Sequence, residues 1–306
     1  MSLVSIILAL LLEQARPVAV DQVERWLADW GGTLETRFNA GERHHGLVAW
    51  LVGAALPSVL LLAVHLFLLS HAWPLALLLG VAVLYFTTGF RQFSHHFTDI
   101  QAALRANEIQ EARRLLARWR GREADRLTSE EVARLAIEEA LLASHRHVFA
   151  PLFWFTILGP AGTLLYRLSR HFCYVWQVER DEDDAGSFGE AARRAFAVLD
   201  WLPVRLTAAS FAIVGNFEDA VFCWRGQAER WPEEASGILL AAGAGALSVR
   251  LGMPVETDGT IGDRPELGVG DDADPDFMQS TIGLVWRALL MALLLLTLLG
   301  IANWAG

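Results

Sequence analysis

Six of the nine histidines form three close pairs, His44-His45, His95-His96 and His145-x-His147. Imidazole nitrogens bind divalent transition metals, and imidazolium beside Arg91 or Arg146 can hold a phosphate. Adjacent histidines cannot both ligate from one regular helix face, and no H-E-x-x-H spacing accompanies them, so no metal is assigned. The plainer reading is that amphipathic imidazoles favour a membrane interface. Two acidic stretches, residues 181–184 and the set Asp271, Asp272, Asp274 and Asp276, carry enough oxygens for Mg²⁺ or Ca²⁺. The second fails the calcium-loop pattern because Phe277 stands where glycine is needed, and both read as solvated loops. Glu138 and Glu139, on a helix that leads into an apolar run, are better acid candidates, although helix solubility also accounts for them.

Other chemistries are excluded by composition. All 25 basic residues are arginine, so Schiff-base lysines and P-loop lysines are both absent. No G-x-x-x-x-G-K-[ST], G-x-S-x-G or strand-borne G-x-G-x-x-G occurs. A formal charge of -10 argues against a nucleic-acid partner. Cys173 and Cys223 lie fifty residues apart and build neither a disulfide framework nor a zinc ribbon; both read as buried thiols.

The elements that position these groups are membrane helices. Across 306 residues the chain is 54% hydrophobic and 20% charged, with mean hydropathy +0.33. Residues 47–69 and 73–90 contain no Asp, Glu or Arg, and about 20 apolar residues span a bilayer, so they form a transmembrane hairpin. The run 150–165 is interrupted by Gly159-Pro160 and Gly162, which suits a kinked or re-entrant helix. Residues 281–304 are a further span, with one charge, Arg287. Residues 1–12 form a short retained anchor without the features of a signal peptide. Residues 204–222 and 237–251 are weaker segments, and the small residues 241–246 would let helices approach closely, as in a homo-oligomer or a larger membrane complex. Trp50, Trp73, Trp154, Trp286 and Trp304 fall at run ends, as an interfacial belt requires.

Ten arginines between residues 91 and 149, with Arg16, Arg25, Arg37 and Arg43 before the hairpin, place both regions in the cytoplasm by the positive-inside rule. Within that segment Gly121 interrupts a helical pattern, and Thr128-Ser129-Glu130-Glu131 opens the next helix as a capping box. No strand signal suggests a sheet. The chain therefore reads as all-α, a polytopic integral membrane protein of a bacterial inner membrane with a cytoplasmic helical cap. Its partners are the lipid bilayer and a phosphate-bearing small molecule. The segments are 1–46, an anchor and cytoplasmic segment; 47–90, the hairpin; 91–149, the cap; 150–252, a membrane core; 253–280, an acidic loop; and 281–306, the last transmembrane helix.

Several motifs carry a resemblance. Gly121-Arg122-Glu123, Ala150-Pro151-Leu152-Phe153-Trp154, Gly159-Pro160-Ala161-Gly162 with Tyr166, Asp200-Trp201-Leu202-Pro203-Val204-Arg205 and Ala244-Gly245-Ala246-Leu247-Ser248-Val249-Arg250-Leu251-Gly252 resemble the CobD/CbiB adenosylcobinamide-phosphate synthases, in order over residues 121–252. That resemblance implies ATP-dependent amide formation between a corrinoid carboxylate and an amino-alcohol phosphate, with Mg²⁺. The family's acidic positions are occupied here by Leu142, Ala143, Arg146, Phe196 and Ala197, which supply no oxygen to a cation. Glu138 and Arg205 match, and Arg122 matches with Glu123 replacing an Asp. Leu199 to Leu206, together with Arg91-Gln92-Phe93-Ser94-His95-His96, is also similar to the AmpE branch of the same superfamily.

The sequence-based expectation is accordingly an AmpE-like protein that binds or signals on a synthase scaffold rather than an enzyme. Two alternatives stand beside it: a divergent synthase using ATP and Mg²⁺, and a structural subunit of a membrane complex. The expected ligand site is Arg91, His95, His96, Glu138, His145, His147, Asp200 and Arg205, at the cytoplasmic membrane face. The plainer reading of Asp200 and Arg205 is a helix cap and a snorkelling cation.

Overall fold

The computed structural model describes residues 2–15, 20–39, 43–88, 90–178, 187–257, 260–262 and 264–305. In chain order its helices are α1 (Ser2–Ala15), α2 (Val20–Phe38), α3 (Arg43–Trp50), α4 (Leu56–His71), α5 (Trp73–Thr87), α6 (Phe90–Arg105) and α7 (Ile109–Arg120). They continue as α8 (Ser129–Ser144), α9 (Ala150–Leu158), α10 (Pro160–Val178), α11 (Ser187–Val214), α12 (Phe217–Gln227), α13 (Glu234–Leu247) and α14 (Pro275–Ala305). Two compact units emerge, Met1–Gly89 with Ala150–Pro203, and Phe90–Phe149 with Val204–Gly306. Among the described residues three helical stretches are long and apolar enough to cross a membrane: His44–His71, Phe188–Val214 and Pro275–Ala302. The protein is an all-α membrane protein.

In the first unit, α3 runs through a π-helical turn, Leu51–Ala55, into α4, so the expected span 47–69 is one continuous rod. Its Val59, Leu60 and Phe67 are exposed, and α5 shows Leu75, Leu78 and Phe86 in the same way. A bilayer is the solvent in which such faces are stable. Only Ala72 separates α4 from α5, and the two helices pack together. The expected span 73–90 is shorter than the sequence suggests. Thr88 turns extended and stops α5 after 15 residues, about 22 Å, whereas a hydrocarbon core is about 30 Å thick.

The expected break at 159–160 is present. Gly159 adopts φ +61°, which only glycine takes without strain, and Pro160 starts the next helix. The Thr163 hydroxyl donates to the Pro151 carbonyl at 3.3 Å, and α9 and α10 fold back on each other as a helical hairpin. Beyond it α10 packs on α2 and α4 around Leu34, Ala54, Phe172, Trp176 and Phe188. Phe172 and Trp176 stack at 4.8 Å, and the Trp176 indole donates to the Gly31 carbonyl at 3.2 Å.

The second unit is built around α8. Thr128 and Glu131 form the expected capping box: the Thr128 N–H donates to Glu131 Oε2 at 2.7 Å, and the Glu131 N–H donates to Thr128 Oγ1 at 3.2 Å. Helices α6, α7, α13 and α14 pack against α8 and bury most of it, including Arg134 and Glu138. The small residues 241–246 lie on α13 and are buried within this unit, where Gly243 meets Leu141 of α8 and Gly245 meets the backbone of α12. The stripe expected to face a second subunit is thus used internally. A Cβ at position 245 would lie 2.6 Å from Ala220 Cα and collide with the Asp219 backbone, which cannot move aside as a side chain could. Gly245→Ala is therefore expected to destabilise the unit by about 2–3 kcal/mol, as overpacked cores do. A thermal midpoint equal to the native value would show that α12 and α13 can separate freely.

The absence of a strand is corrected. Leu251–Gly252 pairs antiparallel with Glu266–Leu267, and Val255–Thr257 pairs with Thr260–Gly262. These are two small ribbons, β1 to β4 in chain order, and they occupy part of the expected acidic loop. Three acids later in that loop pair or cap. Asp272 accepts from Arg250 at 2.7 Å, Asp276 pairs with Arg105 at 3.2 Å, and Asp274 caps α14 by accepting the N–H groups of Asp276 and Phe277 at 2.8 Å. The acidic run 181–184 lies outside the described residues.

Candidate anion-binding site

A cavity of about 200 Å³ lies in the second unit, lined by Arg120, Arg122, Glu138, Glu139, Trp231 and Arg264, with Leu135, Leu142, Leu240 and Val255 as its apolar wall. Each polar group arrives for a local reason. Helix α7 ends at Arg120 because Gly121, at φ +69°, takes the left-handed C-cap conformation, and the turn brings Arg122 round to the same cavity. Glu138 and Glu139 lie on α8. Trp231 follows the 3₁₀ turn Ala228–Arg230 ahead of α13. Arg264 is delivered by the segment between β3 and β4.

Glu138 is 5% exposed and fully engaged. Its Oε1 accepts the Gly252 N–H at 2.9 Å, and its Oε2 is ion-paired with Arg264. The Arg264 guanidinium also stands 5.0 Å over the Trp231 ring, a cation–π contact that holds its plane. Gly252 is at φ +72° with the Pro265 carbonyl against its α-carbon, so a side chain there would break the same anchor. Burial pushes the Arg120 guanidinium below its ordinary range, with Glu138 and Glu139 working the other way; burial does the same to Arg134, one turn before Glu138 on α8. Both stay cationic at neutral pH.

Three guanidiniums against two carboxylates leave the lining with an excess positive charge. Planar N–H forks match phosphate and carboxylate oxygens bidentately. The cavity has room for several waters, and so for a small phosphate ester.

Of the eight residues expected at the site, Glu138 lines this cavity, and none of the six others whose side chains are described is among its lining. His95 is exposed on α6, while His96 stacks on Trp119 at 6.0 Å; burial lowers the affinity of His96 for a proton, partly offset by Asp99. His145 is 1% exposed, with Nδ1 2.9 Å from Thr207 Oγ1, and His147 follows it half-buried in the π-helical turn His145–Phe149. Asp200, in the first unit, accepts from the Tyr166 hydroxyl at 2.9 Å. Arg205, in the second, pairs with Glu234 at 2.6 Å. The side chain of Arg91 lies outside the described residues. Arg120, Arg264 and Trp231 are absent from the expected set; the only local hint was the pair of arginines flanking Gly121.

Cys223 of α12 is buried, and burial together with Asp219 pushes its thiol up to about 11, against the pull of the Gly268 backbone. About one such thiol in a thousand is ionised at pH 8. In a Cys173→Ser protein, maleimide should label it roughly 10²-fold more slowly than a free cysteine at that pH. Labelling at the free-thiol rate would place Cys223 in contact with water.

An all-α membrane protein with an arginine-lined cavity built round a tethered glutamate is the class that fold and site define. The chain belongs to the CobD/Cbib protein family, whose model matches residues 5–285. It is similar to a cobalamin biosynthesis protein CobD of Stutzerimonas stutzeri (strain A1501), with 37% identity over 273 residues covering 86% of each chain. It is also similar to a cobalamin biosynthesis protein CobD of Chromobacterium violaceum, with 35% identity over 233 residues covering 72% of this chain and 74% of that one. A Rhodobacter capsulatus protein of the same name is 28% identical over 276 residues. No solved structure matches the chain.

These relatives overturn the expectation of an AmpE-like binding protein without synthase activity, because their shared name is one of cobalamin biosynthesis. Acids are missing at Leu142, Ala143, Arg146, Phe196 and Ala197, yet Glu138 and Glu139 share one cavity with three arginines, of which Arg264 is 126 residues away from Glu138 in the chain.

Proposed function

We propose that this chain is a synthase of cobalamin biosynthesis that joins a corrinoid carboxylate to the amine of a small amino-alcohol phosphate in an ATP-dependent amide formation. The observation that carries the reading is the convergence of Arg120, Arg122 and Arg264 on one small cavity with a short aliphatic wall. In this reading Arg120 and Arg122 hold the phosphate of the amine substrate, and Leu135, Leu240 and Val255 receive its carbon chain. The family membership and the names of the relatives support a role in cobalamin biosynthesis.

ATP and Mg²⁺ belong to this proposal. Among the described residues no cluster of three or more His, Cys, Asp or Glu is placed to hold a metal ion. Mg²⁺, however, usually keeps its waters and takes one or two carboxylates plus substrate phosphates. Glu139, which lines the cavity, would supply such a carboxylate, and the cation would neutralise phosphate charge during transfer. Residues 91–149, with ten arginines, would then face the cytoplasm of an inner membrane, the compartment that holds ATP.

The test is a reconstituted reaction. Detergent-purified chain with ATP, Mg²⁺, a corrinoid acid and aminopropanol phosphate should yield the amide and one ADP per product. ADP release without amide, or no ADP at all, would contradict the assignment.

A further inference from the structure

Glu138 presents an unusual arrangement for a residue lining an anion site, because it is itself an anion bound to that site. It is buried, one oxygen is tethered by the Gly252 N–H, and the other occupies Arg264, one of the cavity's three guanidiniums. Arg264 has a second hold in the Trp231 ring, so it keeps a favourable position when its carboxylate partner is exchanged. A phosphate has more charge than a carboxylate and more acceptor oxygens to offer the guanidinium fork.

We propose that Glu138 is a resident counter-anion, displaced from Arg264 when a phosphate enters between Arg120, Arg122 and Arg264. Binding of the phosphate and release of the carboxylate are then one event. With no ligand present, Glu138 compensates Arg264 while Glu139 remains beside Arg120, so the buried cations are not left without counter-charge. With the phosphate in place, one carboxylate oxygen becomes free inside the cavity beside the bound molecule. The inference rests on the anion-binding reading of the cavity but is independent of whether amide synthesis follows.

The sign of one substitution decides it. Glu138→Gln keeps the shape and the acceptor for Gly252 but removes the competing charge. Inorganic phosphate, titrated calorimetrically into detergent-purified full-length protein, should bind this variant about tenfold more tightly than the native chain. In an Arg264→Gln background, where an amide can still donate to Glu138, the same change should alter phosphate affinity less than threefold, because there is no guanidinium to compete for. Thermal midpoints check that both variants are folded. Weaker binding by Glu138→Gln would mean that Glu138 positions Arg264 for the ligand, and the proposal would fail while the anion site stood. An equal gain in both backgrounds would reduce the effect to general charge and would also overturn it. If neither native nor variant protein binds phosphate, the cavity reading and this inference fall together.

Discussion

Replacing Arg264 with alanine is expected to lower the stability of the second unit by about 3–5 kcal/mol, the cost of removing one partner from a buried ion pair. The side chain of Glu138 is 6% exposed, so it cannot recover the lost interaction from water. The remaining Gly252 N–H compensates for only part of a carboxylate charge. In a unit of this size the thermal midpoint should fall on the order of 10 °C. The companion result is more telling. Adding Glu138→Gln to Arg264→Ala should restore a large part of the loss, since the orphaned charge is then gone. If Arg264→Ala melts with the native protein, Glu138 is solvated or otherwise paired, and the site is not built as described.

Arg120→Ala should reduce kcat/KM for amide synthesis on the order of 10²-fold. The guanidinium is half-buried at the end of α7 with Glu138 and Glu139 near it, and burial already disfavours its charge. A phosphate would exchange that unfavourable setting for charge-assisted hydrogen bonds. Truncating one partner of such a pair costs about 2–5 kcal/mol, and each 1.4 kcal/mol is tenfold. Arg120→Lys should recover only part of the loss, because an ammonium cannot present a planar fork. Arg118→Ala, at an exposed position two residues earlier, should leave the rate unchanged. Steady-state kinetics with the amine phosphate varied would check all three. Equal losses for Arg118→Ala and Arg120→Ala would reduce the effect to the net charge of the helix.

The membrane architecture was legible in the sequence where one physical signal dominated. An apolar run long enough to cross a bilayer identified 47–69 and 281–304, and Gly159-Pro160 predicted the break that the α9–α10 hairpin shows. The capping box at Thr128 was equally local. The site was not local. Glu138 and Arg264 are 126 residues apart, and the ribbons that flank Arg264 have strands of two or three residues, too short for an alternating pattern to register. Arg120 and Arg122 were submerged among ten arginines that read as a topology signal. The paired histidines looked more like chemistry, yet His145 bonds to Thr207 and His96 stacks on Trp119. Small residues 241–246 signalled close helix approach correctly but not with whom, because the same composition serves an internal or an external neighbour.

The central claim is that the arginine cavity receives the phosphate of the amine substrate. It is tested most directly by comparing the affinity of the purified chain for aminopropanol phosphate with its affinity for aminopropanol itself, in native protein and in an Arg120→Ala, Arg122→Ala double variant. The account predicts that the native chain prefers the phosphate ester by at least about 10²-fold, two or more charge-assisted hydrogen bonds, and that the double variant loses this preference. Equal binding of the two compounds by the native chain, or a preference that survives in the double variant, would contradict it.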